Sequence, residues 1–525
     1  MVEIFVDGLK LEVDEKKNLI DALKEKGIHV PHFCYHPALE VVGMCRICLI
    51  EVGSVKIDPQ TKEPARDDKG QVVVQWNPKF QAACNTPITA GMHIRVASEK
   101  VKKAREGVME FLLINHPLDC PVCDKAGECS LQDYSFAVGN ETTRYREVKR
   151  NIPQEKIGTN LLINHNRCIL CYRCVRFDRD IVGIHDLEMQ ARGNDTVIAY
   201  TPPPGSRDTL LNHNYQGALA DICPVGALLN ENTLFRSRVW WYQQNQSICH
   251  GCSTLCRVTT NVKNNEIYRY MPPEEPEKNG FFICDKGRFS TTDFSRDRLL
   301  TYLIKGHGSK SRDVLPQLAD LFHQAHSLLL VGGTTESCED IDRILSLVQK
   351  WQAKGKQVNW EYRTQPYMWR GEWDKKVDFL LMVDQRPNSN YLRQKISGFT
   401  SQEKWQEALQ EADLIIVINE FAAPYSYRIE NYADIEKLYL FKLFEEKSLW
   451  SKTVLLNTHA NAATAKALAS LPIMVFPEKA GTYIDKEGVA KKSAQSLTPA
   501  QGLLSSGQIL AKWNDYVEQD SLAYV

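Results

Sequence analysis

Sixteen cysteines are the side chains of this 525-residue sequence best suited to chemistry, and fifteen of them lie within its first 284 residues. A thiolate binds soft metal centres, and clustered cysteines in a large chain without a signal peptide read as metal ligands rather than disulfides. They fall into four groups. Cys34, Cys45, Cys48 and Cys84 form the first. Cys120, Cys123 and Cys129, in "NHPLDCPVCDKAGEC", form the second. Cys168, Cys171 and Cys174, in "CILCYRC", are followed by Cys223 in "DICPVGAL". Cys249, Cys252, Cys256 and Cys284 form the last.

Spacing separates the candidate centres. The first group has a close pair and a remote closing cysteine, as plant-type ferredoxins do, with a longer first gap. It predicts a [2Fe–2S] site. Cys-x2-Cys-x2-Cys with a later Cys-Pro is a [4Fe–4S] pattern, and with one such run Cys223 closes its own cube. The Cys249 group is a complete four-thiolate set and predicts another [4Fe–4S] site. Paired cysteines also suit structural zinc, the alternative for the first and last groups above all.

Three complete groups use twelve cysteines and the second uses three, so only Cys338 remains. Cys338 follows "LLLVGGTTES" on a predicted strand-to-helix turn of another domain. His116 stands four residues before Cys120, followed by Pro117, which turns the chain toward the loop. Neutral imidazole ligates iron in Rieske centres. The count assigns His116 as the fourth ligand beside Cys120, Cys123 and Cys129.

The elements that hold these groups follow from pattern. Residues 1–14 read as two strands joined at Asp7-Gly8, then "NLIDALKEKG" as a helix closed by Gly27. This order predicts a ferredoxin-like β-grasp domain. Residues 53–75 are polar and turn-rich and predict a surface insertion. A helix is predicted over 98–114. Beyond about residue 300, apolar strands at 328–332, 378–383, 413–418, 453–457 and 472–476 alternate with helical patterns, which predicts a largely parallel α/β sheet. "LLLVGGTT" is too poor in glycine for a phosphate loop and reads as a plain strand-to-helix turn.

Lys plus Arg is 64 against 65 Asp plus Glu, a balance that points to neither nucleic acid nor an anionic membrane surface. The longest apolar runs fall far short of the roughly 18 residues of a spanning helix. "MVEIFVDGLKLEVDE" lacks the marks of a signal or import peptide, which predicts a chain made in the cytoplasm.

"PHFCYHP", "GMCRICLIEV", "NHPLDCPVCDKAGECSLQD", "NRCILCYRCVRF" and "DICPVGAL" resemble the large iron–sulfur subunit of respiratory complex I, the G-subunit family of NADH–quinone oxidoreductases. The resemblance covers about residues 1–240. It implies a His(Cys)3-ligated [4Fe–4S] cluster at the second group, in agreement with the count. "CDKGRF" at 284–289 is similar to the Cys-x-Lys-Gly-Arg turn of molybdopterin oxidoreductases. "GTYIDKEG" at 481–488 is similar to a motif of that family, but Asp485 stands where Asn is usual and Val489 where Arg is usual. The chain also stops where such relatives continue.

The expected organisation is a multidomain α+β and α/β protein. Residues 1–97 make the [2Fe–2S] ferredoxin-like domain, 98–150 the His(Cys)3 domain and 151–245 a [4Fe–4S] ferredoxin-like domain. Residues 246–302 make a [4Fe–4S] domain of the molybdopterin-enzyme type, and 303–525 a truncated, degenerate molybdopterin-oxidoreductase-like α/β domain. The cofactors expected are one [2Fe–2S] and three [4Fe–4S] clusters, with no molybdopterin. The resemblance implies outer-sphere electron transfer from a subunit that binds NADH and FMN toward quinone-side iron–sulfur subunits, with no substrate site on this chain. It implies a peripheral place on the cytoplasmic side of a bacterial inner membrane, with proton translocation elsewhere in the complex. The rival readings are an electron-transfer subunit of a soluble NAD-linked hydrogenase or formate dehydrogenase, a molybdenum formate dehydrogenase with its own site, and a non-redox zinc scaffold.

Overall fold

The computed structural model describes residues 1–68, 70–202, 204–206, 209–273, 279–372, 375–421 and 432–523. The backbone gathers into two compact units, 1–241 and 242–525.

In the first unit, β1 (Val2–Val6) and β2 (Leu9–Val13) form the predicted hairpin, with Asp7 and Gly8 both at positive φ in its turn. α1 (Leu19–Glu25) starts at Asn18, whose side chain accepts from the Ile20 N–H, and ends before Gly27 at φ +77°. β3 (Leu49–Val55), β4 (Val74–Trp76), β5 (Gln81–Ala82) and β6 (His93–Arg95) complete a mixed sheet of order β2-β1-β6-β3-β4, with β5 on β3. Its core joins Ile4, Val6, Ile50 and Ile94 to Leu19, Ile20 and Leu23 of α1, all buried. The 53–75 segment is a largely exposed arm, bridged at Ile57–Pro64 and Arg66–Val72; its Lys69 lies outside the described residues.

α2 (Glu99–Leu113) matches the predicted helix and is capped by Ser98, whose Oγ accepts from the Val101 N–H at 3.3 Å. α3 (Ser130–Val138) begins directly after Cys129. Next come β7 (Glu155–Lys156), β8 (Leu161–Ile163), α4 (Arg173–Arg176), β9 (Leu187–Gln190), β10 (Val197–Tyr200), α5 (Gln216–Ile222) and β11 (Leu228–Asn230). α4 runs straight into a π-helical turn, Phe177–Val182. β11, β8 and β7 form one small sheet, β9 and β10 another.

The second unit opens with the antiparallel sheet β12 (Gln243–Ile248), β13 (Arg257–Lys263) and β14 (Glu266–Met271), followed by the short helix α6 (Asp285–Phe289). A seven-stranded sheet follows, built from β15 (Tyr302–Ile304), β16 (His307–Ser309), β17 (Ser327–Gly332), β18 (Gln357–Glu361), β19 (Leu414–Ile418), β20 (Thr453–Asn457) and β21 (Ala469–Pro472), in the order β16-β15-β21-β20-β19-β17-β18. β21, β20, β19, β17 and β18 are parallel and β15 and β16 antiparallel. α7 (Ser311–Gln324) leads into β17, and α8 (Cys338–Ala353) connects β17 to β18. Side chains alternate between faces, as strands require. Leu328, Leu330, Ile416 and Ile418 meet a core with Phe322 of α7, Trp351 of α8 and Trp513. Leu329, Val331, Ile415 and Val417 meet the opposite core, with Trp405, Phe441 and Phe444. Apolar residues on both faces make the near-continuous runs seen in the sequence. A last hairpin, β22 (Gly481–Ile484) with β23 (Ala490–Ser493), turns at Gly488.

Two predicted strands differ. Residues 378–383 do not extend, because the Asp378 carboxylate accepts from the Leu380 and Leu381 N–H groups and bends the run into a turn; only a bridge from Lys376 to Met382 remains. The strand placed at 472–476 lies earlier, at 469–472. There Pro477 and the Glu478 carboxylate, which accepts from the Val475 N–H at 3.0 Å, wind Phe476–Glu478 into a 3-10 turn.

Candidate iron–sulfur sites

Fifteen buried or half-buried cysteines, all free thiols, lie in the loops and turns between these elements, except Cys174, which sits in α4. Cys34, Cys45 and Cys48 come from the loop between α1 and β3, and Cys84 from the turn after β5. Cys48 Sγ and Cys84 Sγ are 3.6 Å apart, and the Cys34 N–H points at Cys45 Sγ at 3.5 Å. Contacts among the four thiols split their acidity: Cys45 and Cys84 hold Cys34 low, while Cys45 and Cys84 are themselves pushed up. Four adjacent sulfurs cannot all ionise without a cationic centre to share.

Cys168, Cys171, Cys174 and Cys223 line one mainly apolar cavity with Ile163, Ile198 and Val225. Burial pushes Cys168 up to about 12 and Cys171 up to about 11, with neighbouring sulfurs adding to both. Such thiols become thiolates only when a metal ionises them. Tyr172 begins α4 in the left-handed region, as does Leu170 before it. Arg46 and Leu255 do the same in the first and last groups. Each such residue costs about 1–3 kcal/mol, a strain typical of functional loops.

In the second group a 3-10 turn brings Cys123 back on Cys120, its N–H bonding the Cys120 carbonyl at 3.2 Å. Cys120 and Cys129 are electrostatic neighbours of Cys123. His116 is half-buried, and its Nδ1 is buried with no hydrogen-bond partner. Burial lowers the imidazole to about 4, so the ring is neutral at pH 7 with a lone pair to give. Asp119 and Arg167 act on both His116 and Cys123. The group also rests on α5 and on the turn after Cys223. Ser130 N–H bonds the Pro224 carbonyl at 3.1 Å, Lys125 Nζ bonds the Ala220 carbonyl at 3.2 Å, and a Cβ on Gly226 would overlap Cys123 Sγ.

In the second unit, Cys249 directly follows β12, its N–H bonding the Cys256 carbonyl at 2.7 Å, and Cys284 precedes α6. Cys256 is pushed well up by burial and by Cys249, Cys252 and Cys284. A Cβ on Gly287 would overlap Cys249 Sγ. Cys338 is not among them: it opens α8 and faces the Asn388 amide, 3.6 Å from Sγ. Asp485, at the Asn position of the resembling motif, caps its turn by accepting from the Glu487 and Val489 N–H groups.

Among the described residues no three His, Cys, Asp or Glu side chains close around a single-ion position. Donor chemistry does fit iron–sulfur centres: sulfur-rich sets, glycines pressed on sulfur, and an unpartnered buried imidazole nitrogen. The glycines, the left-handed residues and the buried arginine of α4 carry no signal in the sequence pattern.

Comparison with known proteins follows the same layout. Residues 1–99 match a 2Fe-2S iron-sulfur cluster binding domain, and 105–144 the NADH-ubiquinone oxidoreductase-G iron-sulfur binding region. Residues 158–229 match the ferredoxin-like domain of NADH-quinone oxidoreductase subunit 3, and 242–293 a molybdopterin oxidoreductase Fe4S4 domain. The chain is 37% identical over 308 residues to the NADH-ubiquinone oxidoreductase 75 kDa subunit of Reclinomonas americana, covering 59% of this chain and 41% of that one. It is 33% identical over 403 residues to the G subunit of NADH-quinone oxidoreductase from Rickettsia conorii, covering 74% and 56%. It is 35% identical over 322 residues to NADH-quinone oxidoreductase subunit 3 of Thermus thermophilus, covering 59% and 40%. The chain spans about half the length of the curated relatives it matches.

Fold and sites together define a multidomain α/β protein with 2Fe-2S, ferredoxin-like and Fe4S4 iron–sulfur domains. Over the residues these comparisons match, the chain is a homologue of G subunits of NADH-quinone oxidoreductases.

Proposed function

We propose that this chain is an electron-transfer subunit of an NADH–quinone oxidoreductase. It takes electrons from an NADH-oxidising FMN subunit and passes them toward quinone-side iron–sulfur subunits, at the cytoplasmic face of a bacterial membrane where the whole complex translocates protons. The clusters proposed are a [2Fe–2S] on Cys34, Cys45, Cys48 and Cys84, and [4Fe–4S] on three sets. These sets are His116 with Cys120, Cys123 and Cys129; Cys168, Cys171, Cys174 and Cys223; and Cys249, Cys252, Cys256 and Cys284. When bound, such a cluster takes up and releases one electron without breaking a bond. The protein's own part is to bury it, fix its neighbours and exclude water. The five-segment domain division stays part of this reading. So does the lack of molybdopterin, supported by Glu420, which sits against Gly332 at the strand ends where α/β sheets bind ligands. No helix among the described residues is long and apolar enough to cross a membrane.

The observation that carries the reading is contiguity. The Cys34 loop touches α4, and the turn after Cys223 approaches Cys123, so three donor groups adjoin in space within one unit, the Cys168 group between the other two. The order proposed is Cys34 group, Cys168 group, His116 group.

Anaerobic protein should hold about fourteen irons per chain, from one two-iron and three four-iron centres. His116→Ala should lose or convert one cube and spare the rest in the EPR spectrum, and His116→Cys should restore a cube at lower potential. Zinc in place of iron, or an unaltered spectrum in His116→Ala, overturns the assignment.

A further inference from the structure

Arg176 is completely buried on α4, between two donor groups. Its Nη2 donates to the Cys34 carbonyl, Nη1 to the Glu40 carbonyl, and Nε to the Tyr172 carbonyl at 3.2 Å. All three acceptors are neutral. Asp180, the carboxylate four residues on, pairs with Arg179 at 2.5 Å instead. Arg173 stands beside it. Its Nη2 donates to the Tyr35 carbonyl and its Nη1 to the Ile222 carbonyl at 3.4 Å, next to Cys223, while its Nε is buried without a partner.

A guanidinium does not deprotonate in proteins, and a buried charge without an opposite charge costs several kcal/mol. Something must balance Arg176. The negative groups that act on it are, in order of weight, the sulfurs of Cys34 and Cys171, which also feel one another, and then Asp180, a carboxylate already engaged by Arg179. As neutral thiols the two sulfurs balance nothing. As thiolates of metal clusters they carry the missing negative charge.

We propose that Arg176, assisted by Arg173, is the shared counter-cation of the Cys34 and Cys168 sites and sets the potentials of both clusters together. The proposal rests on the cluster assignment above. Reduction adds one electron and one negative charge to a cluster, with no bond made or broken. A fixed cation favours the reduced form and so raises the potential. One cation between two clusters raises both, which keeps their potentials close where an electron must step between them. Arg176 is thus a positioning and tuning residue, not a ligand.

The test is a redox titration followed by EPR on the full chain purified without oxygen, as wild type, Arg176→Met and Arg176→Lys. Methionine fills the space without charge. Lysine keeps the charge but cannot reproduce the forked donation to two carbonyls. In Arg176→Met both potentials should fall, each by enough to change the reduced-to-oxidised ratio about tenfold at fixed ambient potential, or about 59 mV for one electron. In Arg176→Lys both should stay near wild type, and the Cys249-group cluster should stay put in all three proteins. Equal falls in the lysine and methionine proteins would make the residue a structural staple only. A fall confined to one cluster, or none with clusters intact, overturns the shared role. If Arg176→Met loses a cluster outright, Arg173→Gln and Arg176→Lys decide: the first should lower both potentials and the second preserve them. Wild-type protein holding zinc instead of iron fails the underlying assignment, which iron and sulfide analysis reveals before any titration.

Discussion

Gly226 and Gly287 each lie where a side chain would meet a ligand sulfur, of Cys123 and Cys249 respectively. Neither sits at positive φ, so backbone freedom does not explain them; close approach does. Gly226→Ala should push Cys123 off its position and remove the cube of the His116 group, leaving the EPR signals of the Cys34 and Cys168 groups in place. An intact His116-group signal in that variant would show that the 120–129 loop yields freely. This scale was the most legible. Thiol spacing marks out the four candidate groups, and counting to an odd cysteine points at His116, whose Nδ1 is buried without a hydrogen-bond partner. The glycines escaped because their cause is a sulfur distant in the chain. Arg46, Leu170, Tyr172 and Leu255 escaped because their residue types prefer φ < 0, and only the closing of the loops forces them left-handed. Arg176 reads in sequence as one of two ordinary arginines flanking Cys174, and only the structure reveals a fully buried cation whose hydrogen bonds all go to neutral carbonyls.

The parallel sheet shows what apolar runs can and cannot tell. β17, β19 and β20 were plain in the sequence because both faces are buried. Residues 378–383 were equally apolar, yet Asp378 turned them with two hydrogen bonds, a local competition that hydrophobicity does not register. The polar residues at the sheet's C-terminal edge could not be read at all. There Lys479 pairs with Glu336 at 2.6 Å and with Asp340 at 3.5 Å, and Ser506 donates to Glu336 at 2.6 Å. Burial alone would lower the Lys479 ammonium, but the Glu336 and Asp340 charges outweigh it and hold it above its ordinary range. Glu336 is fully buried, so removing its partner leaves a carboxylate with no countercharge. Lys479→Met should cost about 3–5 kcal/mol of stability, and the double variant Lys479→Met with Glu336→Gln should recover much of it. Urea unfolding checks both. Equal stability of Lys479→Met and wild type would mean that water reaches the site.

The two units divide the sites unequally: three donor groups adjoin in 1–241, and one lies in 242–525. The Cys249–Cys256 loop has little apolar core of its own and is tied down by long-range polar contacts. Ser253 N–H bonds the Asp384 carbonyl, Lys486 N–H bonds the Ser253 carbonyl, and Lys491 Nζ reaches the Thr254 and Leu255 carbonyls at 2.8 and 3.1 Å. Beyond it in the chain Cys338 faces an amide and offers no second metal centre. A cluster placed there has the means to hold its segment together, as metals do in small loop-rich domains, and no further cysteine set in its unit to pass an electron to. Cys252→Ala should therefore lower the yield of folded, assembled protein, while quinone reduction per assembled complex stays close to wild type. Replacing Cys171, in the contiguous series, should do the reverse wherever assembly survives. The two activities are normalised to assembled complex and compared. A large loss of turnover in an intact Cys252→Ala assembly would place the fourth cluster on the current-carrying path and end its reading as a structural side branch.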